Sequence, residues 1–239
     1  MTVAGALPDA VRDALVRFLD ALYAAGQDLN LTRIPRSQAW ERHVLESLAL
    51  LDARSWVPGE HVVDLGSGGG VPGIPLALAR PDLRCVLVEK SVRKAAILGR
   101  LVAELGLART TVIAASAEIA TRTPGWHPAD VVVSRAAAAP PELVRLALPL
   151  LRPGGELLAH VGGSASVDRA LAAAAAGAGG SRPVIMVVPP VRLLRVRCRS
   201  RARSAPPGGS PLTGRPGPAR AGRSSGPPSG RGPPPGDPG

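Results

Sequence analysis

A strand, a cluster of glycines and a helix follow one another at residues 62–75, and this order limits the possible fold more than any other feature of the chain. The residues are Val-Val-Asp-Leu-Gly-Ser-Gly-Gly-Gly-Val-Pro-Gly-Ile-Pro. In parallel α/β sheets such a loop brings the backbone close to a nucleotide-like ligand at the carboxyl end of a strand. Glycine suits this position because a Cβ atom would keep the ligand away and would disfavour a positive φ. The segment therefore predicts a parallel α/β sheet with a ligand site at this loop.

Short apolar runs alternate with helical patterns along most of the chain. We predict strands at residues 61–65, 84–89, 110–114, 131–134, 156–161 and 184–188. Helices are predicted between them at 74–80, 91–106, 116–121, 140–151 and 165–178, and two more precede them at 9–24 and 37–52. Strands that alternate with helices form βαβ units. The expected fold class is therefore α/β, a doubly wound and mostly parallel sheet with N-terminal helices.

Residues 191–239 differ in composition from the rest of the chain. Of the 29 basic and 18 acidic residues, this segment holds ten arginines and a single acid, which leaves 19 basic and 17 acidic residues in 1–190. With 11 prolines, 10 glycines and no aromatic residue, it cannot bury enough apolar surface to offset its ordering entropy. We predict an N-terminal helical segment (1–55), a ligand-binding domain (56–190) and a disordered basic tail (191–239).

Three interpretations of this tail remain open. It is a basic arm that holds RNA through its phosphates, or it has no specific role, or it results from a shifted reading frame. The chain has 27 arginines and two lysines, a bias of GC-rich genes, and a shifted frame in such DNA yields the residue types that fill 197–239. We favour the shifted frame, under which the strand expected to pair with Val184–Val188 is missing.

Composition excludes several classes of protein. Two cysteines, Cys85 and Cys198, are too few for a disulfide framework or a four-ligand zinc site, and no metal site is predicted. No apolar run reaches the ~18 residues needed to cross a bilayer, and the N-terminus lacks the pattern of a signal peptide. We therefore expect a cytoplasmic protein that has no membrane partner.

The strand at 84–89 ends in Glu89, which adds a second feature to the glycine loop. A carboxylate at this strand end can accept both hydroxyl groups of a ribose. Gly68-x-Gly70-x-x-Gly73 matches the dinucleotide fingerprint, but Gly66 is the glycine that directly follows the strand, with Asp64 two residues before it. In that register the loop resembles motif I of the class I methyltransferases that use S-adenosylmethionine. The resemblance implies that the loop holds the amino-acid part of this cofactor and that Glu89 holds its ribose.

A closer resemblance covers about residues 10–163. Five segments carry it in order, Asn-Leu-Thr-Arg-Ile at 30–34, Arg-His-Val-Leu-Glu-Ser at 42–47, the loop at 66–75, Glu-Lys-Ser-Val-Arg-Lys at 89–94 and Ser-Arg-Ala at 134–136. Together they resemble the bacterial methyltransferases that modify N7 of a guanine in 16S ribosomal RNA, the glucose-inhibited division protein B family. The resemblance implies a class I, Rossmann-like fold, S-adenosylmethionine as cofactor, and 16S ribosomal RNA or the small ribosomal subunit as partner. We expect the protein to be a monomer.

The same resemblance suggests site residues. Cofactor contacts are expected at Asp64, Gly66, Gly68, Val71, Glu89, Ala117, Glu118 and Arg135, with Glu118 near the adenine. Candidates for contacts with the substrate are Asn30, Arg33, His43, Ser47, Arg93 and Lys94. His43 is equally compatible with a structural role, and Arg93 and Lys94 with a solvated helix face. No catalytic base is assigned, because neutral guanine carries a lone pair and no proton on N7, and the reaction then depends on alignment.

Two places depart from the family pattern, since Glu46 replaces an aspartate, and Ala-His-Val-Gly at 159–162 stands where the family has a lysine before the glycine. Other functions also remain open. A methyltransferase for a small molecule is compatible with the near-neutral charge of 1–190 and with the few aromatic residues available for stacking on bases. The remaining alternatives are an RNA-binding protein without enzymatic activity and an inactive family member that is damaged at its C-terminus.

Overall fold

The computed structural model describes residues 7–25 and 31–199, which form a seven-stranded sheet with helices packed on both faces. The strand order is β3-β2-β1-β4-β5-β7-β6. The strands are β1 (His61–Leu65), β2 (Arg84–Val88), β3 (Thr110–Ile113), β4 (Ala129–Arg135), β5 (Leu151–Val161), β6 (Val184–Val188) and β7 (Val191–Arg197). β1 to β5 pair in parallel and β7 is antiparallel to both of its neighbours. The predicted α/β fold with a mostly parallel sheet is confirmed.

The helices follow the predicted alternation, with one difference near the N-terminus. They are α1 (Asp9–Ala25), α2 (Glu46–Asp52), α3 (Gly73–Ala79), α4 (Val92–Glu104), α5 (Ala117–Ala120), α6 (Pro140–Ala147) and α7 (Arg169–Gly177). The helix predicted at 37–52 consists of a 3-10 turn at Arg36–Gln38, a π-helical stretch at Trp40–Leu45 and then α2. His43 lies in the wider turns of this π-helix and is buried there.

The order of the strands changes direction beside β1. Asp64 in β1 lies opposite Leu87 of β2 on one side and Val133 of β4 on the other. The chain continues from β1 to β2 and β3 on one side and then crosses to β4 and β5 on the other. Such a switch point leaves a crevice outside the carboxyl ends of the two central strands. The glycine loop after β1 opens into this crevice.

Two aliphatic cores cover the two faces of the sheet. On one face, Leu15 of α1 and Ile74 of α3 belong to a buried cluster that includes Val131 of β4. On the other face, Val144 of α6 packs in a cluster with Val132, the next residue of β4. Successive side chains of a strand point to opposite faces, so each central strand contributes to both cores. The N-terminal helices thus share a core with the sheet.

The strand β7 corrects the expectation that the sheet has no partner for Val184–Val188. Composition assigns residues 191–197 to a disordered tail, yet this segment lies between β5 and β6 and pairs with both. Leu193 is buried in one core and Leu194 in the other. The arginine that interrupts this apolar pattern, Arg195, lies 2.5 Å from the buried carboxylate of Glu156 on β5. Burial on both faces and this ion pair outweigh the unfavourable composition.

Residues 200–239 lie outside the described part of the chain, so the disorder predicted there remains a prediction, as does the division into three segments. Within the described residues, β6 is an edge strand, and its Val187 is largely exposed. No helix in the described ranges has the length and apolar character needed to cross a membrane.

Candidate active site

A cavity of about 920 Å³ opens at the carboxyl ends of β1, β2 and β4. Seven of the residues predicted to contact a cofactor line it, namely Gly66, Gly68, Val71, Glu89, Ala117, Glu118 and Arg135. Three of the predicted substrate contacts also line it, namely Arg33, His43 and Lys94. These residues are far apart in the sequence, and the switch point of the sheet brings them to one site.

The glycine loop follows β1 with a backbone that side chains would not tolerate. Gly66 has φ of 75° and Gly68 has φ of 55°. A Cβ atom on Gly66 would lie 2.6 Å from Cβ of Ala137, in the loop after β4. The N–H groups of Gly66 and Ser67 donate to the carbonyl of Val88, at the end of β2. The loop is therefore fixed between the ends of two strands, with its backbone facing the cavity.

Glu89 fixes the other side of the same loop. Its Oε2 accepts a hydrogen bond from the N–H of Gly68 at 2.9 Å, and its Oε1 accepts one from the N–H of Ser91 at 2.8 Å. A carboxylate has about four acceptor positions, so two remain for hydroxyl groups of a ligand. Because the carboxylate is already oriented by two backbone donors, little rotamer entropy is lost when it binds.

Asp64 lies behind the loop rather than in the cavity, which corrects its predicted contact with the cofactor. Its Oδ2 accepts a hydrogen bond from the N–H of Gly73 at 3.0 Å, and among the described residues its buried Oδ1 has no partner. Burial raises the pKa of Asp64 to about 7, although the N–H of Gly73 opposes this shift. Gly73 is required for this packing, since a Cβ atom there would lie 2.4 Å from the side chain of Leu87. Asp64 therefore stabilises the start of α3 through its hydrogen bond with the N–H of Gly73.

Ala117 and Glu118 form the first turn of α5 at the far wall of the cavity. Ala117 is buried, whereas the Glu118 side chain is exposed. A hydrogen bond from the hydroxyl of Ser116 lowers the pKa of Glu118, so it is ionised at neutral pH. A carboxylate and free backbone N–H groups at a helix start can bind the polar edge of a purine.

Arg135 and His43 form a hydrogen-bonded pair on the opposite wall. Nη2 of Arg135 donates to Nδ1 of His43 at 2.8 Å, and Nη1 donates to the carbonyl oxygen of Arg42. Nε2 of His43 lies 2.9 Å from Oγ1 of Thr32. A guanidinium has only donors, so Nδ1 must be the acceptor and Nε2 carries the proton. Burial, followed by the charges of Arg135 and Arg42, lowers the pKa of His43 to about 4. The imidazole is thus neutral at physiological pH.

His160, in the segment that lacks the family's lysine, supports this wall through its contact with Glu46. Its Nε2 donates to the carbonyl oxygen of Glu46 at 2.8 Å, and burial lowers its pKa. Glu46 in turn forms an ion pair with Arg42 at 2.7 Å and lies 3.6 Å from Nη1 of Arg135. Neither His160 nor Val161, the residue directly before Gly162, lines the cavity, so the segment without the family's lysine provides no basic contact there.

Three of the predicted substrate contacts lie elsewhere. Ser47 is fully buried, and its hydroxyl donates to the carbonyl oxygen of His43 one helical turn earlier, at 2.5 Å. Arg93 is exposed on α4 and does not line the cavity, although Lys94 beside it does. Asn30 lies outside the described residues. Ser47 therefore failed as a prediction, because it lies on the buried side of α2 and not at the cavity.

Several further residues line the site that the motifs did not single out. Thr32, Glu46 and Lys90 line the cavity, as does Ala136. Ala136 has φ of 56°, a conformation that costs of order 1–3 kcal/mol for a residue with a side chain and is concentrated at functional sites. Alanine carries no sequence signal for this conformation. Thr32, Glu46 and Lys90 lie within the segments quoted above, so membership of those segments was an available signal for them.

Comparison with known proteins agrees with the fold described above. The sheet, with its glycine loop and an antiparallel β7, is of the class I methyltransferase type. The solved structure of SibL, an S-adenosylmethionine-dependent methyltransferase, matches it with a TM-score of 0.53 at 19% identity, over 78% of this chain and 70% of that chain. This likeness concerns the fold alone.

Sequence comparison identifies the family. Residues 12–179 match the family model GidB, described as rRNA small subunit methyltransferase G, and the chain belongs to this family. The protein named ribosomal RNA small subunit methyltransferase G of Mycobacterium leprae strain TN is 42% identical over 147 residues, 61% of this chain and 59% of the relative. Its counterpart of the same name in Mycolicibacterium smegmatis is 45% identical over 131 residues, 55% of this chain and 54% of the relative. The chain thus spans somewhat more than half the length of these curated relatives.

Proposed function

We propose that this chain transfers a methyl group from S-adenosylmethionine to N7 of a guanine in the 16S RNA of the small ribosomal subunit. One observation supports this most strongly. The glycine loop and Glu89 meet the Arg135–His43 pair across one cavity, in a chain that belongs to the rRNA small subunit methyltransferase G family. The first set of groups suits a nucleoside with an amino-acid substituent, and the second suits a polar base.

The residues of the cavity fit the cofactor. Glu89 has two free acceptor positions for the ribose hydroxyls, and Gly66 and Gly68 present only backbone atoms to the cavity. Ala117 and Glu118 offer polar groups for the adenine. The negative charges of Glu89 and Glu118 also favour a ligand with a sulfonium centre. When bound, S-adenosylmethionine supplies an electrophilic methyl group.

The residues around His43 support a mechanism of alignment rather than proton transfer. N7 of neutral guanine has no proton to lose, so no general base is required. His43 is not available as a base, because its Nδ1 accepts from Arg135 and its Nε2 is bonded to Thr32. The hydrogen bonds among Arg135, His43 and Thr32 fix one wall of the cavity, against which the base can be oriented. Alignment of two reactants alone is worth several orders of magnitude in rate.

Cations at the mouth of the cavity are suited to the RNA backbone. Lys94, Arg33 and Lys90 all line it. Lysine and arginine contacts to phosphates position a nucleic acid without reading its sequence. The monomeric state and the cytoplasmic location predicted from the sequence are part of this proposal.

Two measurements test the proposal. Calorimetry should show that S-adenosylmethionine binds and that NAD does not. Tritium from labelled S-adenosylmethionine should then be transferred to the RNA of small ribosomal subunits and not to free guanosine. Binding without transfer to RNA would favour the small-molecule alternative, and binding of NAD alone would contradict the assignment of the cofactor.

A further inference from the structure

A second cavity, of about 660 Å³, lies at the amino-terminal ends of β1, β2 and β3. Its floor is the sheet surface at Val86, Thr111 and Ile113, and the loop at 123–128 forms a wall. α5, the helix that follows β3, has four residues and extends about 6 Å at 1.5 Å per residue, too short to cover that strand. The sheet is therefore left open here, and we call this the edge cavity.

Two arginines project beside each other at the edge cavity. Arg84 and Arg109 directly precede Cys85 and Thr110, which are paired in the parallel register of β2 and β3. Both arginines are exposed and line the cavity. Like charges at neighbouring positions of a sheet destabilise it, and a bound anion would remove this repulsion.

The arginines are not neutralised by nearby carboxylates. Within the described ranges, Arg84 forms no ion pair, and Arg109 donates only to the backbone carbonyl of Asp82. The carboxylate of Asp82 is held by both nitrogens of Arg80. Asp130, near the cavity, is held by Arg152. Among the described residues no acid lines the edge cavity, while four cationic or imidazole side chains do: His61, Arg84, Arg109 and His127.

An indole completes the edge cavity. Trp126 lines it, half-buried, with its ring 6.2 Å from that of His61 in an edge-on arrangement. Aromatic side chains next to arginines are the usual platform for an unpaired base, with the ring stacked and the phosphate bound by the cations. The volume is also within the range of about 300–1,000 Å³ that is typical of small-ligand sites.

The edge cavity is close to the candidate active site along β3. Ile113 lines the edge cavity and Ala115 lines the active site, two residues later or about 7 Å along an extended chain. A flexible strand of RNA that enters the active site can therefore pass the edge cavity with a neighbouring nucleotide.

We propose that the edge cavity binds one nucleotide unit, with its phosphate on Arg84 and Arg109 and its base against Trp126. The unit is a residue of an RNA strand or a free nucleotide, since both present the same chemistry. Only the RNA source depends on the function proposed above.

The test uses the full chain, saturated with S-adenosylmethionine, and two variants that lose the same charge. Arg84→Gln combined with Arg109→Gln alters the edge cavity. Arg100→Gln combined with Arg145→Gln is the matched control, because both residues are exposed on helices and line neither cavity. Affinity for a labelled single-stranded RNA of about ten nucleotides is measured by fluorescence anisotropy, and affinity for adenosine 5′-monophosphate by calorimetry. Melting temperatures verify that each variant folds.

We expect the first double variant to bind about tenfold more weakly and the control to change by less than about twofold. Trp126→Ala should weaken binding by about fivefold or more, and the milder Trp126→Phe should remove the ligand-induced change in tryptophan fluorescence. If the first double variant loses affinity for RNA alone, the ligand of the edge cavity is an RNA strand. If it loses affinity for adenosine 5′-monophosphate, the ligand is a free nucleotide. Equal losses in both double variants, or no loss in either, would overturn the proposal.

Methyl transfer to small-subunit RNA is measured on the same samples. If the first double variant keeps its RNA affinity and still transfers methyl groups, nucleotide binding in the edge cavity is contradicted and the proposed function is not. If wild type transfers no methyl group but the first double variant binds nucleotides more weakly, the proposed function is contradicted and the edge cavity is not.

Discussion

Two buried carboxyl groups at the ends of neighbouring strands have different roles in this molecule. Glu89 at the end of β2 points into the cavity and accepts from two backbone N–H groups. Asp64 in β1 faces the start of α3, and its Oδ1 has no partner in the described part of the chain. One carboxylate is therefore available to a ligand, and the other is a buried acid whose protonation affects the stability of the fold.

Asp64→Asn should change how stability depends on pH. The pKa of Asp64 is about 7 in the folded chain against an ordinary 3.8, so at low pH the carboxyl is protonated in both folded and unfolded states. As the pH rises through this interval, only the unfolded chain ionises freely, and the free energy of unfolding falls. Asparagine stays neutral and avoids this loss. From about pH 4 to pH 8, the variant should gain about 2–4 kcal/mol relative to wild type.

Urea denaturation at several pH values measures this gain. An amide N–H₂ at the unpaired Oδ1 position also lowers the free energy of unfolding, but by an amount that does not depend on pH. The test is therefore how the difference in free energy of unfolding between variant and wild type changes with pH. A difference that is the same at every pH would show that Asp64 is ionised in the folded protein.

Glu89→Ala should weaken the binding of S-adenosylmethionine by about 1.5–3 kcal/mol, the contribution typical of hydrogen bonds to a charged group. The variant also frees the N–H groups of Gly68 and Ser91, which lowers the order of the loop. Glu118→Ala is the matched control at an exposed carboxylate of the same cavity, and its effect should be smaller. Calorimetry that ranks the two variants in the opposite order would contradict the role given to Glu89.

Gly66→Val should abolish cofactor binding. Its φ of 75° is unfavourable for a branched residue, and its Cβ would lie 2.6 Å from Cβ of Ala137. Gly99→Ala is a suitable control, because a Cβ there meets no atom within 4 Å, and it should stabilise α4 by about 0.5–1 kcal/mol. A folded Gly66→Val variant with unchanged affinity by calorimetry would remove the loop from the binding site.

At the scale of elements, β7 connects the two cores. It lies between β5 and β6, with Leu193 in one core and Leu194 in the other. The Glu156 carboxylate on β5 receives Arg195 at 2.5 Å and Arg54 at 2.8 Å. A basic strand is thus accommodated in the sheet because a buried acid pairs with it.

Leu194→Ala should destabilise the chain by about 2–5 kcal/mol, as expected for a large side chain removed from a core. Val187→Ala in the neighbouring edge strand, where the side chain is 72% exposed, should have little effect. Deletion of 191–239 should prevent stable folding, whereas deletion of 200–239 should leave the melting temperature unchanged. Thermal melts of the four variants test this, and a stable chain ending at residue 190 would contradict the role of β7.

The elements whose pattern is local could be predicted from the sequence. Those whose structure depends on a residue far away in the chain could not. β6 was predicted with its observed ends, because a run of aliphatic residues between breakers needs no further information. β7 was missed because three arginines break its alternation and Glu156, which neutralises Arg195, is 39 residues away in the chain. Likewise, motif spacing found Glu89, but only the packing of α3 shows that Asp64 faces away from the cavity. The strained φ of Ala136 has no signature in a sequence.

At the scale of the whole molecule, basic residues are concentrated in the C-terminal part of the sequence. Ten of the 29 basic residues lie in 191–239, and three of them, at 192, 195 and 197, belong to β7. The shifted-frame hypothesis therefore applies only to the part that follows this strand, and the nucleotide sequence across those codons tests it. The sheet and both cavities are formed by residues that precede this part.

Methylation of a guanine N7 in the small subunit is the activity proposed for this chain, and its most direct test is chemical. Small ribosomal subunits from cells that lack the gene are incubated with the protein and S-adenosylmethionine, and their RNA is treated with borohydride and aniline, which cleave the strand at N7-methylguanine. We predict one new break at a single guanine of 16S RNA, which is absent with the Gly66→Val variant. Identical cleavage with and without the active protein would contradict the account.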